Sequence, residues 1–189
     1  MNIQVVDYDS QWPKQFLKLK ANLWPRIEDL AMAFEHVGST AVPGLSAKPI
    51  LDIDVVIESA KTLPAISARL WKAGYVHCGN LGVDGREAFK SSTSSVSHNL
   101  YVCLADGEAL RNHLTVREYL RANSAARDLY AQLKRDLAER YPDSIDKYVE
   151  GKTEFLVGIL AAHGFSPSSL ERIRQINGVA KSEAPLDLV

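Results

Sequence analysis

From residue 10 onward the apolar residues Trp12, Phe16, Leu19, Leu23, Ile27 and Leu30 recur every three or four positions, the spacing of one face of an amphipathic helix. Ser10 stands where an N-cap belongs and Pro13 suits the first turn, whereas Pro25 inside the pattern is expected to kink or divide the helix. Ahead of it, residues 3–8 alternate polar and apolar and read as an edge strand or a docked N-terminal arm. The period then shortens. Residues 31–37, 51–57, 75–78 and 98–104 read as strands, and residues 88–91 as a further extended piece. In the 98–104 segment Leu100, Val102 and Leu104 share one face, with Asn99, Tyr101 and Cys103 on the other. This strand is expected to lie beside 51–57.

Between the strands, residues 63–73 read as a helix with Thr62 as N-cap, Pro64 in the first turn and Gly74 at its stop. Residues 79–85 are rich in turn formers, and the polar run 91–97 reads as a flexible loop. Beyond residue 108 the helical period dominates. Leu110, Leu114, Tyr119 and Leu120 mark one helix, Leu129, Leu133 and Leu137 a second, Ile145 to Leu160 a third, and residues 167–176 a short last one. Pro142 separates the second from the third. The expected architecture is α/β in the broad sense (α+β): a small sheet with flanking helices, capped by a helical C-terminal half, as a single domain over 1–178. Residues 179–189 read as a flexible tail.

One stretch carries chemistry. Residues 36–57 run from His36 through Gly38, Ser39 and Thr40, past Lys48, into the strand Leu-Asp-Ile-Asp-Val-Val-Ile. Residues two apart on a strand share a face, so Asp52 and Asp54 project together, roughly 7 Å apart at Cα. Two carboxylates on an apolar strand repel each other and need a partner, and oxygen-only ligation suits Mg²⁺ or Mn²⁺. The small residues upstream let backbone N–H groups and the Ser39 and Thr40 hydroxyls approach phosphate. Taken alone, the Asp pair also fits strand-end caps or a solvated face. Farther on, His113, Arg117 and Arg121 fall one helical turn apart, a cationic stripe that suits phosphate or merely water.

The order Gly38-Ser39 followed by Asp52-x-Asp54 resembles the signature of the nucleotidyltransferase superfamily. The longer run Gly-Ser-Thr-Ala-Val-Pro-Gly-Leu-x-Ala-Lys-Pro-Ile-x-Asp-Ile is similar to the GrpB family, whose domain also occurs fused to dephospho-CoA kinase. The likeness extends over roughly residues 5–163, through Gly74-Tyr75, Arg86, Phe89, His98, His113-Leu114, Arg117 to Arg121, Tyr130, Leu133-Lys134, and Tyr148 with Lys152. It implies a nucleotidyltransferase-like mixed sheet and transfer of a nucleotidyl group from a nucleoside triphosphate, most simply ATP, to a small acceptor. Asp52 and Asp54 would then hold the metal. Gly38, Ser39, Thr40, Lys48, Arg86, His113 and Arg117 would bind nucleotide or phosphate, and His98 would serve as a catalytic base. One departure bears on this: residues 98–105 contain no third acid, leaving Glu87 and Asp106 as the nearest candidates. A nucleotide or CoA-precursor binding module, and an interaction domain with a degenerate site, are therefore the alternatives.

Composition narrows the partners. The chain has 189 residues, 46% hydrophobic and 24% charged, with a formal net charge of -1, which offers no basic field for gripping a long nucleic-acid track. Its two cysteines, Cys78 and Cys103, lack the spacing of a zinc site or a disulfide framework. The start carries no basic n-region with an apolar h-region, and no apolar run reaches the ~20 residues that span a bilayer. The expected location is the cytoplasm.

Overall fold

The structure is a computed structural model and describes residues 2–178; the expected tail, 179–189, lies outside the described residues. Five strands form one mixed sheet, β1 (Ala33–Val37), β2 (Leu51–Ile57), β3 (Tyr75–Gly79), β4 (Arg86–Ser91) and β5 (His98–Leu104), in the order β1-β2-β5-β4-β3. β2 and β5 run parallel and the other neighbours antiparallel. The strand carrying the two aspartates thus lies beside the 98–104 strand, as their patterns require. Alternation sorts the side chains. Ile53, Val55, Leu100 and Val102 pack with α1 (Gln11–Ile27) and α2 (Leu63–Lys72). Val56, Tyr101 and Cys103 pack on the opposite face with Leu110 of α3 (Glu108–Ala122). The helical half continues with α4 (Ser124–Arg140), α5 (Ile145–Ala162) and α6 (Pro167–Gly178) around an apolar cluster that includes Leu120, Tyr130, Leu156 and Leu160.

Several local expectations change. α1 is neither divided nor capped by Ser10: Pro25 falls in its last turn, two residues before the end, and Asp9 Oδ1 accepts from the Gln11 amide at 2.8 Å instead. Thr62 makes no capping bond either; Ser59 caps the short turn before α2 by accepting from the Lys61 amide. The N-terminal segment is a docked arm, joined by an Ile3 amide to Pro142 carbonyl bond and a single Val6–Ala47 bridge. The 91–97 run is a structured turn, in which Ser91 Oγ accepts from the amides of Thr93 and Ser94 and Val96 packs on the core.

The helices of the C-terminal half carry one informative correction. Leu129, read as a core position of α4, is 67% exposed, while Tyr130 and Lys134 are buried at 1% and 2%. The inward stripe of α4 is therefore Tyr130, Lys134, Leu137 and Ala138. Lys152 occupies an equivalent place on α5, beside buried Tyr148, Val149 and Leu156. α4 and α5 meet closely at Gly151, where an added Cβ would stand 2.4 Å from a Leu137 methyl. Burying two lysines on apolar stripes costs free energy unless their ammonium groups find partners. Those partners lie at the candidate site.

His36 locks the end of β1 to the loop that follows. Its ring stacks on Phe16, centroids 4.8 Å apart, and its Nε2 lies 3.0 Å from Thr40 Oγ1. Burial, and then the nearby Arg121 and Arg117 guanidinium groups, push its pKa down to about 4. The folded value is below the unfolded one, so the native state binds fewer protons; this contribution is complete above pH ~6.5 and is lost as pH falls towards 4. We expect acid titration between pH 6.5 and 4 to remove about 2–3 kcal/mol through this residue. Denaturant unfolding across that range should show a flatter pH dependence in His36→Gln, and an unchanged slope would refute the assignment.

Candidate functional site

The loop after β1 is built from a glycine upward. Gly38 has φ 69°, in the left-handed region, and a Cβ there would lie 2.2 Å from Asp52 Oδ2. Only glycine lets the chain pass this close to the carboxylate. Residues Ser39–Ala41 then make one 3₁₀ turn, closed by the Ala41 and Val42 amides on the Gly38 and Ser39 carbonyls. The amides at the start of such a turn have no acceptor within it. From the other side, arginines hold the loop's carbonyls. Arg117 donates to the His36 carbonyl, Arg121 to that of Ala41 through Nε and Nη2, and Arg127 to that of Pro43.

Below the loop, Ser39, Lys48, Asp52, Lys134, Tyr148 and Lys152 line one cleft. Lys134 Nζ donates to Ser39 Oγ at 2.9 Å and to the Ser46 carbonyl, and sits 4.6 Å from the Tyr130 ring centroid. The ammonium groups of Lys48 and Lys152 lie 5.8 and 5.2 Å from the Tyr148 ring centroid. Three lysines and one carboxylate thus line the same cleft, an excess of positive charge that suits an anionic ligand.

Asp52 and Asp54 do share a sheet face, yet they differ in access. Asp52 faces the cleft and accepts from Asn99 Nδ2 at 2.8 Å. Asp54 is fully buried; its Oδ2 accepts from His113 Nδ1 at 2.7 Å, and its Oδ1 has no hydrogen-bond partner. An orphaned carboxylate oxygen beside a second carboxylate on the same strand is a donor set that fits a hard divalent cation. Asp54 also lies with Cys103 and His113 so that single ligand atoms of the three fall within 4.8 Å of one another. Softer metal chemistry would need the thiolate, and burial and then the Asp54 charge hold the Cys103 thiol far above its usual pKa. His113 Nδ1 is already engaged in its hydrogen bond to Asp54.

Other residues expected at the site are placed elsewhere. His98 lies on the opposite sheet face, where its Nδ1 donates to the Val96 carbonyl and its Nε2 accepts from the Tyr75 hydroxyl at 2.7 Å; burial lowers its pKa. Both ring nitrogens are committed, so it faces neither Asp52 nor Ser39. Arg86 is buried against the Tyr101 ring, 4.4 Å from its centroid, and lines a different cavity. His113 supports Asp54 from below. Arg117 is bound to Glu35, Glu118 and the His36 carbonyl, and so fastens β1 to α3. Thr40 is buried on His36.

No third acid stands on β5. The register sets Asn99 opposite Asp52 and Tyr101 opposite Asp54. Glu87 bonds His77, 2.6 Å away, on the face opposite Arg86, and Asp106 lies in the turn beyond the end of β5, closed by the Gly107 amide on the Leu104 carbonyl. The carboxylate flanking the pair comes instead from β1, where Glu35 pairs with Asp54. Sequence reasoning missed it because only the β1–β2 register brings the two together. It also left Lys134 and Lys152 unassigned, although lysines on apolar helical stripes were a readable signal.

The mixed sheet, the Gly-Ser loop and the Asp pair define an α+β protein of nucleotidyltransferase-like fold. Similarity agrees with this: a structure of the Cid1 poly (U) polymerase with Mg 3'-dATP bound superposes with a TM-score of 0.52 at 15% identity, covering 79% of this chain and 50% of that one. At that identity the likeness concerns the fold alone. Residues 2–162 match the family model described as GrpB protein. The chain belongs to the GrpB family. The glutamate-rich protein GrpB of Alkalihalophilus pseudofirmus is 35% identical over 161 residues, covering 82% of this chain and 92% of that protein. The UPF0157 protein YqkA of Bacillus subtilis is 30% identical over 154 residues, and the match spans 82% of this chain but 45% of YqkA. A crystal structure of GrpB from Enterococcus faecalis superposes with a TM-score of 0.76 at 31% identity, covering 91% and 98% of the two chains. Among the described residues no helix is long and apolar enough to cross a membrane.

Replacing Gly38 by Ala tests the loop. The methyl group would collide with Asp52 in a backbone conformation that disfavours it, so Gly38→Ala should destabilise the fold by about 1–3 kcal/mol. Stability within about 0.5 kcal/mol of the parent in denaturant unfolding would show that the loop does not need this approach.

Proposed function

We propose that this cleft binds the triphosphate of a nucleoside triphosphate, ATP in the simplest case, together with Mg²⁺ or Mn²⁺, and that the chain transfers the nucleotidyl group to a small acceptor. The observation that carries the reading is the convergence of Lys48, Lys134 and Lys152 on Asp52 and Ser39 in one cleft. Asp52 and Asp54 would hold the cation, which supplies charge neutralisation at the phosphates. Ser39 and the amides opening its turn face the phosphate oxygens, while Gly38 leaves them room. The lysines offset negative charge on the departing pyrophosphate. Asn99 orients Asp52, and His113 fixes Asp54 by donating to one oxygen, which leaves the other for a ligand.

A second reading draws on one observation. With Asn99 and Tyr101 opposite the aspartates, the neighbouring strand offers no carboxylate to activate an acceptor, which favours nucleotide binding without turnover. Glu35 is the residue that would separate the two readings. Glu35→Gln should abolish pyrophosphate release if the chain is an enzyme; because Glu35 also pairs with Arg117, which bonds the loop, nucleotide affinity measured in the same variant separates a turnover role, with affinity retained, from a loop-positioning one, with affinity lost.

Thermal shift and calorimetry with ATP and the other triphosphates, with and without Mg²⁺, test the binding itself. Affinity should require the metal, and Asp52→Asn should remove that requirement's benefit. Lys152→Met should weaken binding by about 1.5–3 kcal/mol, the range for a charge-assisted contact. Metal-independent binding that survives both substitutions would overturn the proposal.

A further inference from the structure

A second cavity lies away from the lysine cleft, between the start of β4 and helices α3, α5 and α6. Arg86, Asn112 and His113 line it among Leu156, Leu160 and Ile173. Arg86 is only 1% exposed, and neither its Nε nor its Nη2 has a hydrogen-bond partner. Those two N–H groups form one edge of the planar guanidinium, the edge that grips two coplanar anionic oxygens side by side. The ring of Tyr101 covers one guanidinium face and fixes its plane. A buried cation with an unused bidentate edge is rare in a folded chain, because desolvation is uncompensated.

The rest of the lining says what accompanies the anion. Asn112 Oδ1 is buried and also has no partner, so it calls for a hydrogen-bond donor. The inner cavity measures about 50 Å³, room for a small anionic head. It continues into an outer groove of about 270 Å³ that shares Asn112 and Ile173 and adds the Glu108 carboxylate. Glu108 already accepts from the Ser169 hydroxyl and brings a second acceptor to the mouth. The outer groove is also lined by Asp84 and Arg172, which pair with each other at 3.5 Å, while the inner walls are mostly aliphatic.

We infer that this cavity is a binding site for a small carboxylate that bears an adjacent amino or hydroxyl donor and an apolar side chain. The carboxylate sits on the Nε/Nη2 edge of Arg86, the donor faces Asn112 Oδ1 and Glu108, and the hydrocarbon lies against Ile173 and Leu160. The inference does not depend on the nucleotide reading. The site shares no lining residue with the lysine cleft; His113, which lines the cavity, bonds Asp54.

Calorimetric titration of the full chain, without nucleotide or metal, tests it with four probes: L-leucine, 2-hydroxy-4-methylpentanoate, 4-methylpentanoate and isopentylamine. The first two should bind saturably, 4-methylpentanoate at least fivefold more weakly, and isopentylamine not at all. Arg86→Lys keeps the charge but loses the bidentate edge and should weaken binding at least tenfold. Ile173→Trp, which fills the cavity without touching any polar group, should abolish it; circular dichroism confirms that each variant is folded. No saturable binding of either donor-bearing carboxylate to the parent chain would overturn the site. So would equal affinity in Arg86→Lys and Ile173→Trp, or isopentylamine binding as well as the acids.

Discussion

Gly38 passes so near Asp52 that a single methyl group could not be inserted between them, and the site is built around that approach. One carboxylate oxygen lies under the loop's backbone while Asn99 holds the other. The loop is kept there from outside, by arginines on two helices that bond its carbonyls. Peptide groups are dipolar, so tying the carbonyls outward orients their field across the turn. Of the residues that read as a cationic stripe on α3, Arg117 and Arg121 hold the loop by its carbonyls and His113 holds Asp54.

The buried charges follow the same economy. Asp54 is sealed under the sheet with His113, and the two inward lysines of the C-terminal helices emerge at Ser39 and Tyr148. Removing ionised groups from water is costly unless each is partnered, and a helix that spends core positions on lysine forgoes apolar burial there. The arrangement places those ammonium groups on Ser39 and the Tyr148 ring. It also ties the two halves of the chain together: the strand-borne acid and the loop come from the first, the ammonium groups from the second.

How much of this the sequence reveals depends on the range of the interaction. The sheet strands, the facing of Leu100 and Val102 against Tyr101 and Cys103, and the shared face of Asp52 and Asp54 are set by period-two alternation and were legible. The Gly-Ser loop was legible from its small residues. Cap assignments at Ser10 and Thr62 failed because Pro13 and Pro64 each remove an amide that such a cap would bond, and the Trp12 amide goes to the Asp9 carbonyl instead. Leu129 was misplaced because a leucine outranked Tyr130 and Lys134 in an apolar pattern, although the stripe through Lys134 was the real one. His98, Arg86 and Glu35 could not be placed, since their surroundings depend on strand register and on which helix covers which face.

The central claim is that the strand-borne carboxylates, the Gly38–Ser39 turn and the inward lysines form one metal–triphosphate site. A crystal structure with Mn²⁺ and a non-hydrolysable nucleoside triphosphate tests it most directly. The account predicts an anomalous peak bridging Asp52 and Asp54 Oδ1, with phosphate oxygens on Ser39 and the lysines. Phosphates bound elsewhere, or manganese located away from both aspartates, would contradict it.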